Sequence, residues 1–421
     1  MSGGVPMNTP YQLDFHRISQ LAERFGTPLY LYELTQLEAA IARLKAALPA
    51  GATLYHSLKS NPLPALLQAS VAQGCKPEIC STGELAVALA SGCAAEHFLY
   101  SGPGKSPGEL RAALKAGVRQ FSVESWGDLT RLKQQAEAFG GGELRVLLRV
   151  NPAEGIQAGL AMSGSATQFG FEEADVIAGK GRLAELGPHL TPIGFHVYYG
   201  TQIPNEDSLL ASFTSAIACC ERLSEALNLR PQVLDLGGGF PWPYASAGEG
   251  ADFSQLAERL TPVLAGRNWT QNAALWFESG RYITAACGTW VSRVLDVKTG
   301  KDGQRFVVMD SGINHLGGMA GLGRVVRPYT GFISGRATDD ADKAAVVGPL
   351  CSPLDRLASQ APLGDVQVYD LLAIPNAGAY GLTASLTGFL SHPAPVELVL
   401  RRGEAQGVFQ LRSGHESLNL L

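Results

Sequence analysis

Charge is scarce in this chain of 421 residues. Asp, Glu, Lys and Arg make up 17%, and 33 basic against 38 acidic side chains leave a net charge of −5. No basic block stands out, so the electrostatic footprint of a nucleic-acid binder is missing. No apolar run reaches the roughly 18 residues that a membrane-spanning helix needs. The first residues, MSGGVPMNTP, lack the charged-then-apolar order of a secretion signal. The seven cysteines form no C-x-x-C pair, and the eight histidines show neither H-x-x-x-H nor H-E-x-x-H. A disulfide framework and a dedicated zinc site are therefore not expected. These absences point to a cytoplasmic protein with reduced thiols and with no metal, nucleic-acid or membrane partner. What the chain does have is core: 46% of its residues are hydrophobic, ample for a globular fold.

The chain divides in two. Between residues 31 and 282, apolar runs alternate with helical patterns. The runs are ATLYHSL (52–58), KPEIC (76–80), HFLYSG (97–102), RQFSVE (119–124), ELRVLLRV (143–150), PIGFHVYY (192–199), QVLDL (232–236) and ALWFE (274–278). Most are short and continuously apolar, as strands covered on both faces should be. Ser106, Pro107 and Glu109 read as a capping box with proline at the first helical position, for a helix that stops near Gly117. Ser81 or Thr82 caps the helix that ends near Gly92. Eight strand–helix units in about 250 residues is the arithmetic of a parallel (β/α)₈ barrel, whose chemistry sits at the carboxyl ends of its strands. Residues 283–421 change texture. GTWVSRVLDVKTG, QRFVVMDSG, AAVVGPL, QVYDLLAIPNAG, APVELVLRRG and GVFQLRSG are short strands separated by turns. They predict an all-β domain, joined by the N-terminal segment 1–30.

The strand ends hold the candidate chemistry. Lys59 follows the first barrel strand and precedes Asn61-Pro62. Taken singly it reads as a surface charge. At a barrel mouth, partial desolvation lowers a lysine's pKa and favours Schiff-base chemistry. Gly237, Gly238 and Gly239 directly follow VLDL. Their successive N–H groups can cradle a phosphate, or simply make a tight turn. Phe240, Pro241 and Pro243 argue against a Rossmann fingerprint. Glu278, Ser279, Gly280 and Arg281 end the eighth strand. A carboxylate there can hold a pyridine nitrogen protonated, and the arginine can bind phosphate or a substrate carboxylate; a structural ion pair is the plainer reading. His196 and Tyr198 are two apart on the sixth strand, hence on one face. Either ring can stack on a flat cofactor or belong to the core. Cys351 lies between Pro349 and Pro353, beside Ser352 and Asp355, in GPLCSPLD. A lone cysteine is commonly a buried hydrophobe, but this one reads as loop-placed and reactive.

In order along the chain, YHSLKSN (55–61), EICSTGE (78–84), SGPGK (101–105), VES (123–125), RVNP (149–152), FGF (169–171), HVYYGTQ (196–202), LGGGF (236–240), ESGR (278–281), GPLC (348–351) and NAGAY (376–380) resemble the motifs of the fold-type III pyridoxal-phosphate decarboxylases, the alanine-racemase-like barrels that include ornithine and diaminopimelate decarboxylases. Each motif alone is weak; their order over nearly the whole chain is specific. The resemblance implies a barrel plus a β domain, pyridoxal 5′-phosphate as cofactor, and decarboxylation of an amino acid through an aldimine and a quinonoid. Lys59 would form the internal aldimine. Gly237, Gly238, Gly239, Gly280 and Arg281, helped by Tyr380, would hold the phosphate. Glu278 would pair with the pyridine nitrogen. Cys351, delivered from the partner subunit of a homodimer, would reprotonate the α-carbon.

The departures bear on the substrate. The family's usual E-P-G-R is Glu278-Ser279-Gly280-Arg281 here. Ornithine-type members place the stacking histidine where this chain has Tyr198, so either His196 or Tyr198 can take that role. Relatives acting on free diamino acids carry Asp or Glu after the cysteine to read the distal amine. This chain has Ser352, and a neutral hydroxyl does not compensate a desolvated ammonium. With HLGGMAGLGRVVRPY (315–329), the chain is most similar to the biosynthetic-cluster subgroup, which includes decarboxylases of glutamate tethered to an acyl carrier protein. Arg324 and Arg327 are candidates for a substrate carboxylate or a phosphopantetheine arm, or else surface charges. Ser352 and Asp355 are further candidate substrate contacts. Diaminopimelate decarboxylase is the alternative that Ser352 opposes. A catalytically dead regulatory protein is opposed by the presence of Lys59 and Cys351. A racemase is opposed by a cysteine where that activity uses a tyrosine.

Overall fold

The computed structural model describes residues 10–152, 160–161, 167–267, 272–317, 331–335 and 343–412. The chain forms two compact units. One comprises residues 40–241 and 250–283; the other comprises 1–39, 242–249 and 284–421.

The second unit holds the first strand, β1 (Leu29–Glu33), all five of whose residues are buried. The first unit is built on strands β2 (Thr53–Ser57), β3 (Lys76–Ile79), β4 (Leu99–Tyr100), β5 (Gln120–Val123), β6 (Leu144–Asn151), β7 (Leu190–Val197), β8 (Val233–Asp235) and β9 (Ala274–Ser279). All eight run parallel in the order β5-β4-β3-β2-β9-β8-β7-β6, and the β5–β6 pairing closes the ring. The eight apolar runs of the sequence are these eight strands, and the barrel they imply is present. Their continuous hydrophobicity has a plain cause. Tyr55, Leu99, Leu147, Ile193, Val233 and Trp276 form one buried cluster inside the barrel, while the alternate residues face the helices.

Caps set the helix ends. Ser106 and Glu109 form the reciprocal capping box of helix Pro107–Ala116, which Gly117 ends at φ 98°. Ser81, rather than Thr82, caps helix Thr82–Leu89 by accepting the Glu84 N–H.

In the β unit, β1 pairs antiparallel with β10 (Gly288–Thr299) and parallel with β15 (Val396–Arg401). Helix α1 (Phe15–Phe25) packs Ile18, Leu21 and Ala22 with Leu29, Leu31, Val291 and Leu398. The sheet continues through β11 (Arg305–Met309), β12 (Lys343–Val347) and β13 (Arg356–Pro362), while β14 (Leu371–Ile374) pairs with β10 and β16 (Glu404–Gln410) with β15. Glu33 is buried at the end of β1, where it accepts the N–H groups of Thr35, Arg402 and Gly403 and the Thr35 hydroxyl. Four donors compensate the buried carboxylate, and they tie β1 to the β15–β16 turn. Among the described residues, no helix is long and apolar enough to cross a membrane.

Leu31 is fully buried in the strand that joins the N-terminal segment to this sheet. Leu31→Ala should cost about 2–5 kcal/mol in urea unfolding. A loss below about 0.5 kcal/mol would contradict the central position of β1.

Candidate active site

Polar residues replace the apolar cluster at the carboxyl ends of the barrel strands. Two residues beyond Tyr55, Leu99, Leu147, Val233 and Trp276 stand Ser57, Ser101, Arg149, Asp235 and Glu278. Glu78 and Ser122 complete the level from β3 and β5, and all seven are buried. The spacing of two is the strand period. On β7 the step is three, from Ile193 to His196, because the β6–β7 register shifts between Val146 and Leu147. The extra residue is Ile193, which has no register partner; at the next residue, Gly194, a Cβ would meet the Val233 carbonyl at 1.9 Å. Such a bulge re-aims the residues after it. It turns His196 inward, where Nδ1 lies 2.8 Å from the Ser122 hydroxyl.

The level contains opposed charges. Lys59 sits on the 3₁₀ turn Leu58–Ser60 at the end of β2, with Nζ 3.5 Å from Glu78 Oε1. Glu78 also accepts from the Ser101 hydroxyl and, at 3.6 Å, from the Cys80 thiol. Burial raises the Glu78 pKa, but Lys59, the Ser101 and Ser57 hydroxyls and Arg149 together outweigh it and hold the carboxyl below its usual range. At Glu278 the balance is reversed, because Lys59 and Arg149 act on it too but do not prevail. Burial, then the charges of Glu78 and Asp235, push it well above. Asp235 is raised to about 7, again mainly by burial. His196 is driven well below its ordinary value by burial and by Arg149, Lys59 and Lys105. His196 Nε2 and Glu278 Oε1 approach to 3.5 Å, with the charged form of each disfavoured by its surroundings. Glu124 clamps Arg149 at 2.7 Å and accepts the Gly170 N–H. Lys105 is buried against Asp128 at 2.8 Å, and Asp128 in turn accepts the Glu124 N–H.

Gly237–Gly239 form a loop of tightly confined backbone. Gly237 and Gly239 have φ of 65° and 99°, which favour glycine. A Cβ on Gly238 would meet the Glu278 carbonyl at 2.0 Å. Gly237 donates to Asp235 Oδ1 at 2.9 Å, and its carbonyl accepts the Glu278 N–H at 2.7 Å. Phe240, which closes the loop, is a buried anchor against Phe213, Phe253 and Tyr282. Gly280 is confined as well, since a Cβ there would lie 2.7 Å from the Ser60 Cβ. Arg281 begins the short helix after β9. Tyr198, just past β7, is half-buried, with Lys59 Nζ 6.0 Å and Arg149 Cζ 5.9 Å from its ring centroid. His196 and Tyr198 thus both face the mouth, at different depths.

The barrel unit therefore brings together Lys59, His196, Tyr198, Gly237–Gly239, Glu278, Gly280 and Arg281. The remaining candidates belong to the β unit. Cys351 is exposed on the β12–β13 turn. The Ser352 hydroxyl accepts the Leu354 N–H. Asp355 is buried, and its oxygens accept the N–H groups of Ile313 and Leu350, which shapes the Cys351 loop from within. Tyr380 has a left-handed φ of 53°, and its carbonyl accepts the Tyr244 hydroxyl. Arg324 and Arg327 lie outside the described residues.

A model of the pyridoxal-dependent decarboxylases, pyridoxal binding domain, matches residues 34–285. The chain belongs to this family. The L-glutamyl-[BtrI acyl-carrier protein] decarboxylase of Niallia circulans is 32% identical over 399 residues, 93% of this chain and 92% of that one. Diaminopimelate decarboxylase of Zymomonas mobilis is 29% identical, over 95% and 94% of the two chains. The crystal structure of Helicobacter pylori diaminopimelate decarboxylase complexed with L-lysine superposes with a TM-score of 0.80 at 24% identity, over 93% and 95%. The protein is a pyridoxal-phosphate-dependent amino-acid decarboxylase. The barrel mouth fits that cofactor: an amine, a confined glycine loop, and a buried carboxyl whose Oε1 has no hydrogen-bond partner are features an aldehyde, a phosphate and a ring nitrogen engage.

Sequence reasoning missed Glu78, Ser101, Ser122, Arg149 and Asp235 as members of the site. Their signal was available. Each is a polar residue within or at the end of an apolar run, in step with the inward positions. Gly238→Ala should weaken pyridoxal-phosphate binding at least about tenfold in equilibrium dialysis, because the loop must leave the Glu278 carbonyl. Unchanged affinity would contradict the confinement.

Proposed function

We propose that this decarboxylase acts on a glutamyl group carried as a thioester on an acyl carrier protein, and that it works as a homodimer. The observation that carries the substrate reading is the 32% identity, over nearly the full length of both chains, to a decarboxylase named for that substrate. Ser352 supports it: beside Cys351 stands a hydroxyl, where a distal ammonium would call for a carboxylate.

Lys59 is the residue that would engage the cofactor aldehyde. Gly237, Gly238, Gly239, Gly280 and Arg281, with Tyr380, would hold the phosphate through N–H groups and a guanidinium. Glu278, whose protonated form burial favours, would hold the ring nitrogen. His196 and Tyr198 would flank the ring. The cofactor, when bound, supplies the electron sink for the bond that breaks on loss of CO₂. Glu78 gives the Lys59 ammonium a fixed partner whenever that amine is released. The apolar cluster beneath, from Tyr55 to Trp276, keeps water from the inner side of the site. The partner's Cys351 would give the proton that replaces the lost carboxylate.

Holoenzyme should release CO₂ from the glutamyl thioester at least about 10²-fold faster, by kcat/KM, than from free glutamate, ornithine, lysine, arginine or diaminopimelate. Preferred turnover of free diaminopimelate would place the enzyme in lysine synthesis instead. Lys59→Ala should abolish the visible absorbance of the bound cofactor together with turnover. Retention of both would remove Lys59 from its role. Cys351→Ala should keep the absorbance and slow or divert product formation about 10²-fold; an unchanged rate and product would refute the acid.

A further inference from the structure

Asp235 faces two ways. Its Oδ1 accepts the N–H of Gly237, the first residue of the glycine loop, at 2.9 Å. Its Oδ2 is buried without a hydrogen-bond partner, as are Glu278 Oε1 and His196 Nε2. One polar side-chain atom from each of these three residues lies within 4.8 Å of the other two. Gly237 is clasped from the other side as well, since its carbonyl accepts the Glu278 N–H at 2.7 Å. One carboxylate thus touches the backbone that begins the loop and faces the carboxyl that closes β9.

We propose that Asp235 is a positioning residue for both ends of the cofactor site: Oδ1 fixes the first glycine of the phosphate loop, and Oδ2 shares the proton of the Glu278 carboxyl. The proposal rests on Glu278 as the partner of the ring nitrogen. Its physical basis is the cost of two adjacent buried anions, which leaves one proton between the pair. The groups that face Asp235 set its balance. Glu78 on β3 opposes its ionisation, whereas the Gly237 N–H, the Glu278 carboxyl on β9 and Arg149 on β6 favour it; Tyr55 on β2 lies within its field, and the charged form of His196 on β7 is disfavoured. Burial raises Asp235 to about 7. No side chain could anchor the loop from within, because a Cβ at Gly237, Gly238 or Gly239 would meet its neighbours at 2.6, 2.0 and 2.6 Å.

The test compares Asp235→Asn, Asp235→Ala and Glu278→Gln holoenzymes by two measurements. One is the pH titration of the visible absorbance of the bound cofactor; the other is the pyridoxal-phosphate dissociation constant. Asn keeps an oxygen for the Gly237 N–H but cannot take or give the shared proton. Asp235→Asn should hold affinity within about threefold. Its titration should move to lower pH by about one unit, because a negative charge that favours the protonated cofactor is gone. Asp235→Ala should show the same displacement and bind the cofactor about tenfold or more weakly. An Asp235→Asn titration that coincides with wild type, while that of Glu278→Gln is displaced, overturns the proposal. If Glu278→Gln also titrates as wild type, the assignment of Glu278 to the ring nitrogen fails first and the proposal with it.

Discussion

A closed parallel barrel points a side chain of every strand into the same level of its interior. That constraint governs the rest of this molecule. At one level the inward residues are apolar and fill the barrel. At the next, the same strands deliver Ser57, Glu78, Ser101, Ser122, Arg149, His196, Asp235 and Glu278, all buried. So many polar groups in so small a volume cannot all be solvated. They must satisfy one another or wait for something that satisfies them. Ser122 with His196, and Lys59 with Glu78, take the first course. Glu278 Oε1 and Asp235 Oδ2 take the second.

The consequence is a division of labour between chemically similar groups. Glu78 and Glu278 are both buried glutamates on neighbouring sides of β2. Glu78 has a lysine and hydroxyl donors that favour its ionised form; Glu278 has carboxyl neighbours that favour its protonated form. The same amino acid thereby serves as a counter-ion in one place and as an acid in the other, as environment rather than identity dictates. The Lys105–Asp128 and Arg149–Glu124 pairs are buried. Such pairs are strongly destabilising to break, since each loss leaves an uncompensated charge.

Much of this was legible in the residues. Continuous apolar runs marked the eight barrel strands because both faces of each strand are covered. Turns and short strands marked the β region. Lys59, the glycine loop and Glu278 stood out because a lysine, three glycines or a carboxylate immediately after an apolar strand is unusual. Other features depend on three dimensions. The inward turn of His196 depends on a bulge at Ile193 that no local pattern announces. Asp235 and Glu78 look like the polar ends of ordinary strands until their neighbours across the barrel are known. Residues 242–249, which belong to the β unit, are too few to carry a periodicity. Tyr244 and Trp242 join it through the Tyr380 carbonyl and Asn376, contacts about 135 residues apart that sequence spacing cannot show. Phe240 reads as an obstacle to a flexible loop and turns out to be the aromatic anchor that lets the glycines stay fixed.

The division between the two glutamates is open to direct observation by infrared difference spectroscopy of cofactor-free protein at neutral pH, comparing wild type with Glu78→Gln and Glu278→Gln. The account predicts that Glu78→Gln removes a carboxylate band and Glu278→Gln removes the C=O stretch of a protonated carboxyl. The loss of a carboxylate band from both variants would show that the two groups are ionised alike, and would contradict the separation of charge on which the site depends.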